Sequence, residues 1–145
     1  MKLLVTTPLA VVVDIDDAVH VRAADESGAF GLLDHHTDFI TALEITVVSW
    51  RRADGREGHC AVRGGTLVMR GGDTLMVATP EAIRGDDLGT LEQEALAALR
   101  AAADEETQAR AADRRLQVAA IRQICGFLRP QPGRIGEPMT GKGQL

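Results

Sequence analysis

The stretch that decides the fold spans residues 45–78 and reads ITVVSWRRADGREGHCAVRGGTLVMRGGDTLMVA. Short runs rich in Val, Thr and Leu are separated by an Asp-Gly pair at 54–55 and by Gly-Gly pairs at 64–65 and 71–72. An Asp-Gly pair between two strand candidates favours a hairpin, and Gly-Gly pairs are typical of turns. Because the short strands follow one another without an intervening helical pattern, the sequence predicts a β-sandwich or β-barrel.

The β pattern extends back to the first residues of the chain. Residues 3–6 and 11–15 are rich in Val and Leu. Val19, Val21 and Ala23 alternate with polar residues, which is typical of a strand with one buried face. We therefore expect a β domain over residues 1–85.

Composition excludes several classes of protein. The 145 residues include 16 Lys+Arg against 21 Asp+Glu, a formal net charge of −5, and only 3% are aromatic. A nucleic-acid binder needs a basic stripe or stacking aromatic residues, so we expect no nucleic-acid partner. Cys60 and Cys125 lie far apart without metal-ligand spacing, which favours a cytoplasmic protein without zinc or disulfides. No apolar run approaches the length of a membrane-spanning helix, so we expect no direct membrane insertion.

Residues 86–129 form a predicted helical arm. The segment is rich in Ala, which has the highest helix propensity, and Asp86 and Asp87 are suited to cap its start. Residues 86–106 contain seven acids, whereas residues 107–129 contain five bases. A turn near residues 104–107 would lay the acidic half beside the basic half, so the sequence predicts a helical hairpin. Because that turn contains neither Gly nor Pro, a single extended helix is the alternative. The Pro/Gly-rich residues 130–145 are expected to form a flexible tail.

One constellation suggests catalysis: Asp34, His35 and His36, with Asp14 and Asp16 upstream. Carboxylates and imidazoles are the ligands of two-metal sites, so a small metal-dependent phosphoesterase is an alternative function. The simpler interpretation is an exposed polar turn, because such an enzyme needs further ligands from a much longer chain. No phosphate-binding loop or nucleophile elbow is present. The residues therefore predict a non-catalytic protein without a cofactor or metal, in which a β module carries a movable helical arm.

Three motifs, in matching order and at matching separations, resemble the epsilon subunit of rotary ATP synthases. Residues 28–36, GAFGLLDHH, are similar to the family's G-E-L-G-I-L-P-x-H segment. Residues 63–69, RGGTLVM, are similar to its S-G-G-x-L-E-V strand pair. Residues 82–88, AIRGDDL, resemble the A-I-R-G-x-D-L junction where the sandwich ends and the helices begin. The resemblance covers the chain as far as residue 129.

The resemblance implies an α+β fold, in which a flattened sandwich of about ten short strands is followed by a helical hairpin. It implies a rotor subunit of the central stalk, bound to the gamma subunit and the c-subunit ring, on the cytoplasmic side of the bacterial inner membrane. Such a subunit couples ring rotation to the catalytic head. Its arm lies as a hairpin on the sandwich or extends along gamma to the alpha and beta subunits, and the extended arm brakes ATP hydrolysis.

The resemblance also assigns candidate contact residues. Those at the end of the sandwich that faces the c-ring and gamma are Phe30, Leu33, His36 and Asp38. The alternative for Phe30 and Leu33 is that they belong to the sandwich core. The candidate contacts between the arm and the catalytic head are Arg110, Arg114, Arg115 and Arg122. Their alternative is a solvated face paired with the acidic half of the arm.

Some positions depart from the family pattern. Ala29 stands where the family has an acidic residue. The family's His is followed by Ala-Pro, whereas His36 is followed by Thr37 and Asp38. We therefore expect the contacts with the c-ring to differ. Family members that bind ATP carry I/L-D-x-x-R-A, where this chain has Gly89 and Glu92, which predicts an arm that does not sense ATP. Together with the tail and the Ala/Arg-rich arm, these departures point to the divergent branch of alternate, sodium-type synthases. A third hypothesis, an adaptor that joins a coiled coil, is disfavoured by poor heptads.

Overall fold

The computed structural model describes residues 1–128, in which eight strands precede a helical segment. The strands are β1 (Lys2–Thr6), β2 (Val11–Ile15), β3 (Ala18–Asp25), β4 (Gly28–Leu33), β5 (Phe39–Arg52), β6 (Glu57–Arg70), β7 (Thr74–Ala78) and β8 (Ala82–Gly85). They pair in the order β2-β1-β7-β6-β5-β3-β4, and β8 pairs with β6. Only the pair of β1 and β7 is parallel among these strands.

The two long strands β5 and β6 contribute to both layers of the sandwich. They pair with each other from Phe39 opposite Met69 to Arg51 opposite Glu57. One half of β6 pairs with β7 and the other half with β8. Alternate residues of the strands are buried between the layers, as one buried face per strand requires. The side chains at the centre of this core, each at most 2% exposed, include Leu3, Val5, Val13, Val21, Leu32, Val48, Leu67, Leu75 and Val77.

The glycine pairs explain how the strands differ from the expectation. The Asp-Gly pair at 54–55 lies in the turn between β5 and β6, and the pair at 71–72 lies in the turn between β6 and β7, as predicted. Gly64 and Gly65 instead lie inside β6, where φ angles of +70° and +112° bend a continuous strand. The sandwich prediction is thus confirmed, but with eight strands rather than about ten, because β5 and β6 each span 14 residues.

The helical segment begins after the predicted cap. Asp87 is the N-cap, and its carboxylate accepts hydrogen bonds from the main-chain N–H groups of Gly89 at 3.3 Å and Thr90 at 3.2 Å. The segment consists of α1 (Leu88–Thr90), a π-helical turn (Leu91–Ala95) and α2 (Leu96–Leu128).

The predicted hairpin is wrong for this structure, because α2 continues without interruption through residues 104–107. Residues 90–125 contain neither Gly nor Pro, so nothing interrupts the main-chain hydrogen bonds of the helix. Exposed ion pairs contribute only about 0.2–1 kcal/mol each, which is too little to impose a turn that the local sequence does not favour. Gly126, an expected end signal, lies inside α2. The tail predicted at 130–145 lies outside the described residues.

The chain divides into two compact units, Met1–Glu105 and Glu106–Leu145. The first contains the sandwich and the start of α2. In the second, every described side chain from residue 107 to residue 128 is exposed. No helix within residues 1–128 has both the length and the apolar character needed to cross a membrane.

Candidate functional site

Strand β4 and the loop after it carry the first group of predicted contact residues. The half-buried Phe30 ring packs against the core and meets Phe39 edge to face, with 5.6 Å between ring centroids. Leu33, at the end of β4, is 60% exposed. Phe30 therefore belongs in part to the core, whereas Leu33 is available to a partner.

The other two residues of this group, His36 and Asp38, lie in the loop of residues 34–38 between β4 and β5. His36 Nδ1 lies 2.7 Å from Thr37 O, and the imidazole meets the Phe39 ring edge to face at 6.0 Å. Asp38 Oδ1 accepts a 2.8 Å hydrogen bond from the main-chain N–H of Gly71. The structure thus places all four predicted residues on or beside one loop, and Asp38 fixes that loop to the β6–β7 turn.

The metal-site alternative has no support from the geometry. No group of three or more His, Cys, Asp or Glu side chains within residues 1–128 is arranged to hold a metal ion. Asp34 instead lies 3.4 Å from the amino group of Met1, and its other oxygen lies 3.7 Å from His35 Nε2. Asp14 lies 3.6 Å from Lys2 Nζ. The segment around Asp34 is thus a polar turn whose carboxylate is paired with the amino group of Met1 and with the neighbouring His35.

The start of the helical segment is anchored on one face of the sheet. The buried side chains of this contact are Ala61, Leu91, Ala95, Leu96 and Leu99, with the half-buried Ile45 and Val47 packed against them. A π-helical turn takes in one more residue than an α turn, which keeps both Leu91 and Leu96 on the buried face although five positions separate them. The first turns of the arm are therefore part of the sandwich unit.

Hydrogen bonds at the cap stabilise the charged form of Asp87. The Thr90 hydroxyl donates to Asp87 Oδ2 at 2.5 Å. This bond, followed by the main-chain N–H groups of Thr90 and Gly89, lowers the pKa of Asp87 below its ordinary value of 3.8. At neutral pH the helix thus starts on a charged acceptor, which also suits the positive end of the helix dipole.

An apolar row that we did not predict from the sequence crosses the outer face of the sheet. Ile40 on β5 pairs with Val68 on β6, Val68 pairs with Met76 on β7, and Met76 pairs with Leu4 on β1. Ile40 is 70% exposed and Met76 36% exposed, while Leu4 and Val68 are half-buried. Contiguous exposed apolar side chains are typical of protein interaction surfaces. We call Leu4, Met76, Val68 and Ile40 the outer row.

A sequence signal for the outer row exists in hindsight. Three of its members stand at the centre of apolar triplets, in which both neighbours face the core: residues 3–5, 67–69 and 75–77. A strand with one solvated face alternates between apolar and polar residues. An unbroken apolar triplet on such a strand therefore places an apolar side chain on the outside.

The second group of predicted contact residues lies on α2. Its members, all exposed, are Arg110, Arg114, Arg115 and Arg122. Arg110 forms an ion pair with Glu106 one turn earlier. The same stretch exposes large apolar side chains, namely Leu116, Ile121, Ile124 and Phe127, each at least 57% exposed. Residues 107–128 thus combine basic and apolar side chains without burying either kind.

Comparisons with known proteins identify the family. Residues 1–85 match the family described as ATP synthase, Delta/Epsilon chain, beta-sandwich domain. The chain is 41% identical over 133 residues to ATP synthase epsilon chain 2 of Cereibacter sphaeroides, across 92% of this chain and 91% of that protein. It is 35% identical over 133 residues to ATP synthase epsilon chain 2 of Paraburkholderia xenovorans, across 92% and 96% of the two chains.

Solved structures share the fold at low identity. A chain of the Euglena gracilis mitochondrial ATP synthase, solved as OSCP/F1/c-ring, matches with a TM-score of 0.54 at 16% identity, over 63% of this chain and 58% of that chain. A chain of the Tetrahymena thermophila mitochondrial ATP synthase central stalk/c-ring matches with a TM-score of 0.50 at 13% identity, over 57% of this chain and 65% of that chain. The match thus spans less than two thirds of either solved chain. Given the family match over the whole sandwich and the identity to epsilon chains over most of the sequence, this protein belongs to the ATP synthase delta/epsilon family, as an epsilon chain.

Proposed function

We propose that this chain is a non-catalytic rotor subunit of the central stalk, which transmits rotation of the c-subunit ring to the catalytic head through the gamma subunit. Membership of the epsilon family supports the proposal, as do the two solved chains, which come from a c-ring assembly and from a central stalk with its c-ring. In this proposal the subunit works at the cytoplasmic face of the bacterial inner membrane, bound to other subunits. The observation that carries the proposal is the outer row on a rigid sandwich.

The outer row is the proposed docking surface for gamma. It lies on four adjacent strands, so its side chains are held in a fixed arrangement. Burying one large apolar side chain contributes about 1.5–3 kcal/mol. The transmission of torque needs a stiff contact, and side chains on paired strands are stiffer than side chains on loops. Leu33 at the end of β4 and His36 in the loop of residues 34–38 remain our candidate contacts with the c-ring or gamma.

The docking surface can be tested with a matched pair of charge substitutions. Ile40→Asp places a carboxylate in the outer row, while Leu9→Asp does the same at a residue that is 97% exposed outside the row. We expect Ile40→Asp to abolish co-purification with gamma and Leu9→Asp to preserve it. Both variants should show the circular dichroism of the parent chain. Normal binding of gamma by the Ile40→Asp variant would contradict the docking surface.

The exposed half of the arm is the proposed brake on ATP hydrolysis. Its basic and apolar side chains, Arg110, Arg114, Arg115 and Arg122 with Leu116, Ile121, Ile124 and Phe127, suit an acidic partner that has apolar pockets. Such a partner would be the alpha and beta subunits of the head. Because Gly89 and Glu92 replace the Asp and Arg of the ATP-binding motif, we propose that ATP does not regulate this arm.

A chain that ends at Glu105 tests the brake without disturbing the anchor. It keeps Leu91, Leu96 and Leu99 on the sheet and removes only the second compact unit. We expect the assembled complex to hydrolyse ATP faster with this chain than with the full chain, at equal incorporation of the subunit. Equal rates would show that the arm does not inhibit in this protein, and would leave the docking of gamma untouched.

A further inference from the structure

Strand β4 forms one edge of the sheet and lacks the usual protection of an edge. Within residues 1–128 it pairs only with β3, over all six of its residues and without a bulge. Its sequence, GAFGLL, contains no charged residue and no proline. Exposed edges present free main-chain groups to other chains, and proteins usually block them with charges, proline or bulges.

The other strands at the margins of the sheet carry such devices. Strand β2, at the opposite end of the pairing order, includes Asp14, and its register with β1 shifts between Val5 and Thr6. Strand β8 includes Arg84. In the part of the chain that the structure describes, β4 is therefore the unprotected edge.

The hydrogen-bond pattern shows which main-chain groups of β4 are open. The N–H of Asp34 donates to Val19 O at 3.3 Å, one position beyond the pair of His20 and Leu33. In an antiparallel pair, hydrogen-bonded positions alternate with positions whose N–H and C=O groups point away from the partner. Ala29, Gly31 and Leu33 are therefore the positions that point outward. Of these groups, Leu33 O accepts from His36 N at 3.2 Å, and the others face the open side of β4.

Arg22 places one positive charge beside the middle of this edge, opposite Gly31. On the face of the sheet that carries the cavity described below, Arg22 of β3 lies opposite Gly31, and His20 lies opposite Leu33. Gly31 leaves room for the imidazole, because a Cβ at this position would lie 2.8 Å from His20 Nε2. Arg22 is exposed and has no carboxylate partner within residues 1–128.

A cavity of about 590 Å³ extends from Ala29 along this face. Three guanidinium groups, those of Arg22, Arg51 and Arg100, line it, against the two carboxylates of Glu57 and Glu92. Of these five charged side chains, that of Arg22 belongs to β3, the strand that pairs with β4. The near end of the cavity thus suits a carboxylate.

We propose that an extended segment of a partner chain adds to the sheet beside β4, with an acidic side chain that pairs with Arg22. The outward N–H and C=O groups of Ala29 and Gly31 supply the main-chain hydrogen bonds, and Arg22 supplies the preference for acid. Strand addition to a sheet edge is a common mode of peptide recognition. Ala29, Gly31 and Arg22 lie outside the outer row, so this contact does not depend on that row as a docking surface.

The test uses a short synthetic peptide that alternates valine and glutamate, with a valine–lysine peptide as its control. In amide NMR spectra of the full chain, we expect the acidic peptide to shift the signals of Ala29, Gly31 and Leu33 and the lysine peptide to leave them unchanged. Arg22→Ala should weaken binding by roughly tenfold, the usual effect of losing a charge-assisted hydrogen bond.

Two further variants test the main-chain hydrogen bonds of β4 separately from the charge of Arg22. Ala29→Pro removes an outward N–H and should abolish binding, whereas Ala29→Thr keeps that N–H and should bind as the parent does. If the proline variant does not fold, Arg22→Glu still tests the proposal, because the reversed charge should make the chain prefer the lysine peptide. No binding of the acidic peptide, equal binding of both peptides, or signal shifts confined to other strands would each overturn the proposal.

Discussion

Asp38 Oδ1 accepts a 2.8 Å hydrogen bond from the main-chain N–H of Gly71, so the loop after β4 is held by the turn between β6 and β7. A second bond, from His35 N to Gly72 O at 2.7 Å, joins the same two segments. Gly72 has a φ of +76°, and a Cβ there would lie 3.1 Å from His35 Cα. Two segments that are distant in sequence therefore form one structural element, which includes His36 and adjoins Leu33.

Replacing the carboxylate of Asp38 should loosen this element. We expect Asp38→Ala to lower the free energy of unfolding by about 1 kcal/mol, because one hydrogen bond is lost near the surface. Asp38→Asn keeps an acceptor oxygen and should lose less. Urea unfolding measures both changes, with Thr37→Ala as the control at the neighbouring exposed residue. An unchanged midpoint for Asp38→Ala would show that the bond does not stabilise the fold.

The same loop shows what the sequence could and could not predict. The Gly-Gly pair at 71–72 was recognised as a turn, because positive φ angles favour glycine. The bond between Asp38 and Gly71 links residues 33 positions apart, and no local pattern reports such a contact. Asp38 was predicted as an interface residue, and the structure adds a role inside the subunit.

A glycine near the start of the helical segment should be replaceable with a gain in stability. Gly89 follows the Asp87 cap, and a Cβ there would meet only the Asp87 carboxylate, at 3.8 and 3.9 Å, which is ordinary contact. We expect Gly89→Ala to raise the free energy of unfolding by about 0.5–1 kcal/mol, the usual gain in a helix.

Gly65→Ala is the contrasting control in the same thermal unfolding experiment. Gly65 has a φ of +112°, and a Cβ there would lie 2.9 Å from Thr79 Cα, so this change should destabilise the sandwich. If Gly89→Ala were also destabilising, the helix would require glycine at its start for a reason other than space.

Acid should weaken the start of the helical segment. The Thr90 hydroxyl and nearby N–H groups lower the pKa of Asp87 below 3.8, so folding favours the charged carboxylate. A lowered pKa contributes stability that is present above the ordinary value and is lost as the pH falls through the folded-state value. We therefore expect the stability difference between the parent chain and Asp87→Ala to be constant near neutral pH and to shrink below pH 3.8.

Thermal unfolding of both chains across this range measures the effect. Asp87→Asn keeps a capping oxygen but does not titrate, so its difference from Asp87→Ala should not depend on pH in this window. A difference between the parent chain and Asp87→Ala that persists unchanged well below pH 3.8 would contradict the assigned role of the carboxylate.

The arm shows where charge patterning misled the prediction. Seven acids precede five bases along residues 86–129, which suggested two antiparallel helices. Exposed ion pairs contribute little to stability, whereas each Ala in a segment without Gly or Pro favours the helix. The absence of Gly and Pro from residues 104–107 was the better guide, and it indicated the extended alternative. The start of the arm was also predictable, because Asp87 is a typical capping residue.

Substitutions at two leucines of α2 distinguish the role of the anchored start of the arm from that of its exposed half. Leu99 is 1% exposed and packs on the sheet, whereas Leu116 is 70% exposed. Leu99→Ala should destabilise the anchor by about 2–5 kcal/mol, because it opens a cavity under the helix. Hydrogen exchange of the isolated chain should then accelerate over residues 88–99.

Leu116→Ala should leave the isolated chain unchanged within about 0.5 kcal/mol, as is usual for an exposed side chain. In the assembled complex the same substitution should raise the rate of ATP hydrolysis, because Leu116 belongs to the surface proposed to contact the head. Leu99→Ala should therefore change the stability of the subunit, whereas Leu116→Ala should change the activity of the complex. A Leu116→Ala variant that destabilises the isolated chain would mean that residues 107–128 are packed in solution, and their exposure could no longer support the proposed brake.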